Sequence, residues 1–156
     1  MNQGRIQAIC SSAKKGMVKH EMNEAIIEND WGIMEDAHAG KWHRQVSLLA
    51  GESIDRVKKL LPALKNGAFA ENIITRGLDL TAMQIGERLL LGDEVVLEIT
   101  QIGKHCHNDG CAIKRATGNC SMPKEGLFSR VIHGGRLKKG DGIRRLSTVL
   151  LQEQED

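Results

Sequence analysis

The sequence predicts a mostly β fold, in the form of a closed or nearly closed barrel with one or two short packed helices. About seven short segments alternate polar and apolar residues with the period of a half-buried strand, whereas one segment has the spacing of an amphipathic helix. The chain also has 17 glycines and 2 prolines, a composition that favours short strands joined by tight turns. Aromatic residues make up 3% of the chain, so aliphatic side chains must fill the core.

Length and composition indicate one ordinary globular domain. The chain has 156 residues, of which 40% are hydrophobic and 27% are charged, and this is enough to bury a core. We expect one barrel domain over residues 1–150 and an acidic, frayed tail over residues 151–156. The net charge of +2 does not indicate a nucleic acid partner. Without an apolar run of membrane-spanning length or a signal-peptide pattern, we expect a cytoplasmic protein that does not contact a membrane.

The N-terminal third combines strand patterns with a basic loop. Residues 5–10 alternate polar and apolar side chains and predict a strand. Cys10 has no other thiol or imidazole near it in this strand, and we interpret it as structural. Residues 11–19 contain three lysines and predict a solvated loop. Residues 25–34 are typical of a weak strand and turn, and the apolar run at 46–49 predicts a further strand.

The middle of the chain contains the one clear helical period. Apolar residues recur at helical spacing from Glu52 to Leu64 and predict an amphipathic helix that packs on the sheet. Pro62 weakens the last turn of this helix because proline lacks a backbone N–H. Strand patterns then return at residues 69–77, 94–102 and 127–132.

A short repeat supports the barrel interpretation. The segments Arg88–Val95 and Arg136–Ile143 share the pattern Arg-Leu-x-x-Gly-Asp-x-Val/Ile. Each Gly-Asp pair lies between strand-like runs and has the composition of a tight turn. Since there are only two copies, we interpret them as similar strand-turn-strand elements of one closed sheet and not as a solenoid.

The segment from Lys104 to Cys120 contains three of the four cysteines and two of the six histidines. It follows the strand predicted at 94–102, and reactive groups are often presented where a rigid strand gives way to a loop. Lys104 and His107 flank Cys106, and nearby cations lower the pKa of a thiol and favour the reactive thiolate. Cys106 is therefore the candidate catalytic residue, either as a nucleophile or as a soft metal ligand.

Two alternatives for this segment remain open. One is a zinc-stabilised binding module, although the paired C-x2-C motifs of common zinc sites are absent. Its ligands would come from one set of residues: Cys106, Cys111, Cys120 and His107. The other is a thiol redox protein that uses Cys106 with Cys111 or Cys120. Metal content and reversible disulfide formation distinguish these alternatives.

A second chemically dense segment precedes the strand predicted at 46–49. It contains His38, His43 and Arg44, and a guanidinium at the start of a strand is well placed to bind an anion. The spacing of the two histidines in a loop gives no argument for a metal site. Further along the chain, a buried Asn72 would need hydrogen-bond partners from the backbone or from a ligand.

The order of these motifs resembles the MOSC domain, a family named after the C-terminal part of molybdenum cofactor sulfurases and also found as small stand-alone bacterial proteins. Asp36-Ala-His-Ala-Gly and the strand after it are similar to the Gly-Asp-x-His segment of that family. Phe69-Ala-Glu-Asn-Ile is similar to its Glu-Asn-Ile segment, and the strand that leads to Cys106 is similar to the path to its characteristic cysteine. The resemblance covers nearly the whole chain.

The resemblance implies a mostly β barrel of MOSC type and a molybdenum cofactor of the molybdopterin type. It also implies that Cys106 carries sulfur or ligates the molybdenum, and that Asn72 contacts the cofactor. The resemblance gives three further candidate cofactor contacts: Arg44, His38 and Arg76. Lys104 is a candidate because of its positive charge. We expect Arg44 and Asn72 to lie within about 15 Å of Cys106, a distance of several strand spacings.

Two positions depart from the family pattern. His105 stands where many members have proline, and Glu35 stands where glycine is usual. A chain of this length leaves no room for the pyridoxal-dependent desulfurase domain of the large sulfurases. We therefore expect a separate sulfur donor or cofactor-biosynthesis protein as a partner, or a redox partner. The sequence leaves open whether the protein is a carrier or an enzyme, such as a molybdenum-dependent reductase or a sulfur-transfer protein.

Overall fold

The computed structural model describes residues 3–103 and 125–146. Strands dominate the regular structure of this part of the chain, as the alternating sequence pattern predicts. The elements are β1 (Gln3–Ser11), β2 (His20–Met22), β3 (Glu24–Glu28), β4 (Gly32–Ile33), β5 (Val46–Ala50), α1 (Gly51–Lys58), β6 (Ile73–Arg76), a 3-10 turn (Leu80–Ala82), β7 (Arg88–Leu91), β8 (Val95–Ile102), β9 (Leu127–His133), β10 (Gly135–Lys138) and β11 (Gly142–Arg145).

Seven strands close into a barrel. Their order is β11-β7-β8-β9-β5-β6-β1, and β1 pairs back with β11. Strands β5 and β6 are parallel, whereas the other pairs around the barrel are antiparallel. A register shift between Ile6 and Ala8 bends β1, which lets it pair with β11 at one end and β6 at the other. This arrangement confirms the predicted mostly β, closed-barrel fold class.

The remaining strands lie outside the closed barrel. Strand β2 pairs with the C-terminal end of β1, and β10, β3 and β4 form a separate three-stranded sheet in that order. The prediction that the two Arg-Leu-x-x-Gly-Asp repeats belong to one sheet is therefore wrong in part. The first repeat forms the β7–β8 hairpin, but in the second β10 pairs with β3 while β11 pairs with β7 and β1. Sequence similarity preserved the turn between the strands but not their partners.

The fold has two hydrophobic cores. Aliphatic side chains fill the interior of the barrel: Ile6, Ile9, Val46, Leu48, Ile73, Leu89, Leu91, Leu97, Ile99, Val131 and Ile143. A second core lies between the outer face of the barrel and the layer made by α1 and residues 59–70, and its members include Cys10, Leu49, Ile54, Ile74 and Phe128. This second core packs the layer made by α1 and residues 59–70 against the barrel strands. Several of the predicted site residues lie on or next to the same strands.

The helix is shorter than the sequence predicts. The apolar period runs to Leu64, but α1 ends at Lys58. Proline disfavours a helical conformation at the preceding residue and cannot donate its own N–H, so the chain leaves the helix before Pro62. Leu60 is 64% exposed, whereas Leu61 and Leu64 still pack on the second core. Over residues 3–103 and 125–146, no helix has both the length and the apolar character needed to span a bilayer.

Candidate functional site

The segment with three cysteines begins and ends at one place on the barrel rim. Residues 104–124, here called the cysteine segment, lie outside the described residues, as does the tail at 151–156. The Gly126 carbonyl accepts a hydrogen bond from the Gly103 N–H at 2.6 Å. The end of β8 and the start of β9 therefore lie side by side. The predicted roles that fall in this segment are those of Lys104, Cys106, His107, Cys111 and Cys120, and they remain predictions.

Arg44 and His43 meet at the root of this segment. The Gln101 Oε1 atom accepts a hydrogen bond from Arg44 Nε at 3.0 Å, and His43 Nε2 lies 2.9 Å from the same oxygen. The Gln101 Nε2 donates to the carbonyl of Gly103 at 2.8 Å. The Gln101 amide therefore connects both Arg44 and His43 to Gly103, the last described residue before the cysteine segment. Sequence reasoning had not singled out Gln101, because a glutamine in a strand carries no local signal of function.

The guanidinium of Arg44 is only partly engaged by the protein. Its central carbon lies 5.1 Å from the centroid of the Phe128 ring, a cation–π contact that fixes the plane of the group. Only Nε has a hydrogen-bond acceptor among the described residues, and no carboxylate there forms an ion pair with it. Residues 3–103 and 125–146 therefore leave its terminal N–H groups without an acceptor, and a guanidinium in this state suits an anion.

His38 is held by a buried carboxylate. Asp36 Oδ2 accepts the backbone N–H of His38 at 3.1 Å and lies 4.0 Å from its ring Nδ1. Asp36 Oδ1 accepts the Lys19 ammonium at 2.7 Å and the Ser12 N–H at 3.1 Å. The side chains of Lys19 and Asp36 are both 0% exposed, so the prediction that residues 11–19 form a solvated loop is wrong at Lys19. Its partner lies 17 residues away, and no local pattern predicts that contact.

Trp42 gives the loop at residues 35–44, here called the site loop, a packed centre. Its Nε1 donates to the His38 carbonyl at 2.7 Å, and the His38 ring stacks on it with centroids 6.5 Å apart. The Lys15 ammonium lies 5.2 Å from the ring centroid, and His43 approaches its edge at 5.9 Å. A cleft of about 500 Å³ opens next to Trp42 and His43. Two histidines of the site loop and Lys15 from the loop after β1 therefore surround one aromatic ring.

Glu35 begins the site loop in a strained conformation. Its φ is +69°, in the left-handed region that side chains with a Cβ rarely adopt. Glycine reaches this region without steric cost, which explains why a glycine is usual at the matching position of the resembled family. The departure seen in the sequence therefore carries a local conformational cost at Glu35.

Asn72 has a structural task in the centre of the sheet. It is fully buried, its Oδ1 accepts the Ser47 N–H at 3.0 Å, and its Nδ2 donates to the Cys10 carbonyl at 3.1 Å. Ser47 is paired with Phe128, and Phe128 with Gln101. Asn72 therefore lies two strand spacings, about 10 Å, from the residue on which the Arg44 guanidinium packs. Its role as a cofactor contact stays a prediction.

Arg76 lies at the other end of β6 from Asn72. Four residues of strand separate the two positions by about 13 Å. Arg76 Nε donates to Gln7 Oε1 at 2.8 Å, and its Nη1 donates to Asp55 Oδ2 at 2.8 Å. The hydrogen bond between Arg76 and Asp55 lowers the pKa of Asp55 and raises the pKa of Arg76. Because Asp55 already neutralises its charge, a role for Arg76 in cofactor binding remains a prediction without support from its contacts.

Cys10 has the properties of a packing residue. It is a free cysteine with 0% exposure. Burial, followed by the negative charges of Glu71 and Glu21, raises the pKa of its thiol to about 12. At neutral pH the side chain is a protonated thiol out of reach of solvent, so it is neither a nucleophile nor a soft ligand. Within the described ranges, no three histidine, cysteine or acidic side chains are arranged to hold a metal ion.

Solved structures of three bacterial proteins have a similar fold. The YuaD protein from Bacillus subtilis is 17% identical, with 90% of this chain and 94% of that chain covered at a TM-score of 0.74. YiiM from Geobacillus stearothermophilus is 15% identical, with 92% and 75% covered and a TM-score of 0.66. YiiM from Escherichia coli is 17% identical, with 92% and 70% covered and a TM-score of 0.61. At these identities the similarity establishes the fold.

The family follows from the sequence comparison. No curated protein sequence matches the chain. The family model described as the MOSC domain matches residues 35–144, which begin with the site loop and include β5 to β10, the cysteine segment and most of β11. The chain therefore belongs to the MOSC domain family.

Proposed function

We propose that this protein binds a molybdenum cofactor of the molybdopterin type, or carries sulfur, on Cys106. The observation that carries the proposal is the Gln101 amide, which connects Arg44 and His43 to Gly103 at the root of the cysteine segment. Three residues beyond Gly103, the chain can extend no further than about 11 Å. This reach supports a Cys106 within range of Arg44, whose terminal N–H groups have no acceptor among the described residues.

The described residues supply binding and orientation. The Arg44 guanidinium, with its plane fixed by Phe128, suits a phosphate, and Lys15 and Lys41 add positive charge around Trp42. A bound cofactor of this type would supply a metal with a coordination position open to exchange. A soft thiolate such as that of Cys106 suits this metal and also suits sulfur transfer. The proposal includes both roles, because both need the same reactive cysteine.

The properties of Cys10 restrict the chemistry to the other three cysteines. Its burial and raised thiol pKa remove it from consideration. Since every remaining cysteine lies in the cysteine segment, a soft-metal or sulfur function has to use that segment. Sulfur loading would require a donor or cofactor-biosynthesis protein, and reductase activity would require a redox partner. Family membership and an expected cytoplasmic location are compatible with each of these partners.

Elemental analysis tests the proposal. The protein should be purified from cells able to make the cofactor, as wild type, as Cys106→Ser and, as a matched control, as Cys10→Ser. Serine keeps the shape of cysteine but replaces a soft ligand by a hard one. We expect molybdenum with an oxidised-pterin fluorescence signal, or a Cys106 persulfide by mass spectrometry, in wild type and Cys10→Ser but not in Cys106→Ser. Stoichiometric zinc, or a reversible disulfide without metal, would refute the proposal in favour of the alternatives.

A further inference from the structure

The site loop is attached to the barrel through a buried lysine. The side chain of Lys19 is 0% exposed, and its ammonium donates to Asp36 Oδ1 at 2.7 Å and to Ser12 Oγ at 3.3 Å. The desolvation of a buried ion pair can exceed the attraction between its charges, so such a pair is a poor source of stability. In some proteins a buried pair instead serves to select one geometry. The contacts of Asp36 indicate which geometry is selected here.

Asp36 connects the ammonium of Lys19 to the backbone of two loops. Its two oxygens accept the N–H groups of Ser12 and His38, both at 3.1 Å. Next to them, the Ala37 N–H donates to the Ser12 carbonyl at 2.7 Å. Each of these bonds joins the site loop either to itself or to the loop that follows β1. Asp36 thus accepts three donors at once, one of them the ammonium of Lys19.

Lys19 itself is fixed from the opposite side. Its backbone N–H donates to the Gly67 carbonyl at 3.2 Å, and a Cβ at position 67 would overlap the Lys19 carbonyl oxygen. The Gly67 N–H in turn donates to the buried Glu71 carboxylate at 3.1 Å. Lys19 is therefore anchored to the segment that covers the second core. It links this rigid layer to the site loop through its side chain.

We propose that Lys19 is a positioning residue, which holds the backbone of the site loop around His38 in place by fixing the Asp36 carboxylate. The inference rests on the proposed function, since the position of the site loop matters for binding only if this loop contacts the cofactor. The ammonium does not touch the ligand. It acts through Asp36 on the backbone of residues 36–38.

Native-state hydrogen exchange, followed residue by residue by NMR, tests this role without any cofactor. Lys19→Met keeps the length of the side chain and removes its charge. We expect protection of the Ala37 and His38 amides to fall by about tenfold more than protection in β8, because the loop opens locally before the barrel unfolds. The matched control is Arg145→Met, which removes the two-pronged ion pair with Glu87 elsewhere on the barrel. In this control, protection of the Ala37 and His38 amides should fall no more than protection of the amides in β8.

A milder variant keeps the test decisive if Lys19→Met does not fold. Ser12→Ala removes the second acceptor of the ammonium and leaves the Ser12 N–H bond to Asp36 in place. We expect the same selective loss of protection at residues 37 and 38, smaller in size, at about threefold. A loss that is uniform over the barrel, or no loss at these amides, would overturn the role of Lys19. A wild-type protein with neither molybdenum nor persulfide would instead refute the proposed function, and the exchange result would not change.

Discussion

Two arginines mark opposite ends of the parallel strand pair β5–β6, and their surroundings differ. Arg44 precedes β5 and uses one N–H on Gln101, while its plane rests on Phe128. Arg76 ends β6 and is neutralised by Asp55. The sequence treats both as cations next to a strand, but among the described residues only Arg76 forms an ion pair with a carboxylate. A positive charge in a family motif is therefore not enough to identify an anion site, because a partner elsewhere in the chain can already neutralise it.

The largest expected effect comes from Asn72, which directly precedes β6 at the same end of the strand pair as Arg44. Asn72→Ala removes the acceptor of the Ser47 N–H and the donor to the Cys10 carbonyl in a fully buried position. We expect the free energy of unfolding to fall by about 3 kcal/mol, since buried groups lose partners on β5 and on β1. Urea denaturation measures this change.

Asn66→Ala serves as the matched control for Asn72→Ala. The side-chain amide of Asn66 donates only to the side chain of Glu21, in an exposed contact. We expect its loss to change the free energy of unfolding by about 0.5 kcal/mol or less. If Asn72→Ala were as mild as this control, the hydrogen bonds of the asparagine to β5 and β1 would not stabilise the fold as described.

A second prediction concerns the pH dependence contributed by Cys10, which lies under Asn72 in the second core. Burial raises the thiol pKa from 9.0 to about 12 in the folded state. The stability associated with this group is therefore fully present below about pH 9 and is lost as the pH rises towards 12, because the unfolded chain releases its proton first. Between pH 8 and pH 10, wild type should lose about 1 kcal/mol more stability than Cys10→Ala. Equal losses in the two proteins would show that the thiol is not shielded as described.

The smallest predicted effect concerns the strain at the start of the site loop. Glu35 has a φ of +69°, and Glu35→Gly removes the steric cost of that conformation, partly offset by the greater freedom of glycine in the unfolded chain. We expect a gain of about 0.5 to 1 kcal/mol in thermal or urea unfolding. Glu35→Ala is the control, because it keeps a Cβ and should give no gain. If both variants gained stability, the gain would come from the loss of the Glu35 charge and not from relief of backbone strain.

Local sequence patterns predicted what depends on neighbours in the chain. Alternation over residues 5–10 and 94–102 identified β1 and β8, and the helical period identified α1 apart from its last turns. Barrel closure was predicted as a class but not strand by strand. The second repeat shows the reason, since β10 and β11 joined different sheets although their turn resembles that of the first repeat. Pairing partners are chosen by packing across the fold, which a local pattern does not contain.

The candidate site was predictable only in its outline. The site loop and Asn72 were found through family motifs, and Arg44 through its place at a strand start. The burial of Lys19 and the bridging role of Gln101 were missed, because each depends on a partner at least 17 residues away. Conversely, Arg76 was grouped with Arg44 because its ion pair with Asp55 was not visible from the sequence. Charge and motif indicated candidate residues, and tertiary contacts decided which candidates form an ion pair within the described residues.

The most direct test of this account is the cofactor affinity of Arg44→Met compared with Arg76→Met, determined from molybdenum and pterin content after dialysis. Loss of a charged hydrogen bond to phosphate, at about 1.5 to 3 kcal/mol, should weaken retention by Arg44→Met by about 10- to 100-fold. Arg76→Met loses a partly exposed ion pair, so it should keep wild-type retention and change stability by no more than about 1 kcal/mol. If Arg76→Met lost the cofactor while Arg44→Met retained it, the binding end of the barrel would be the opposite one and the account would be contradicted.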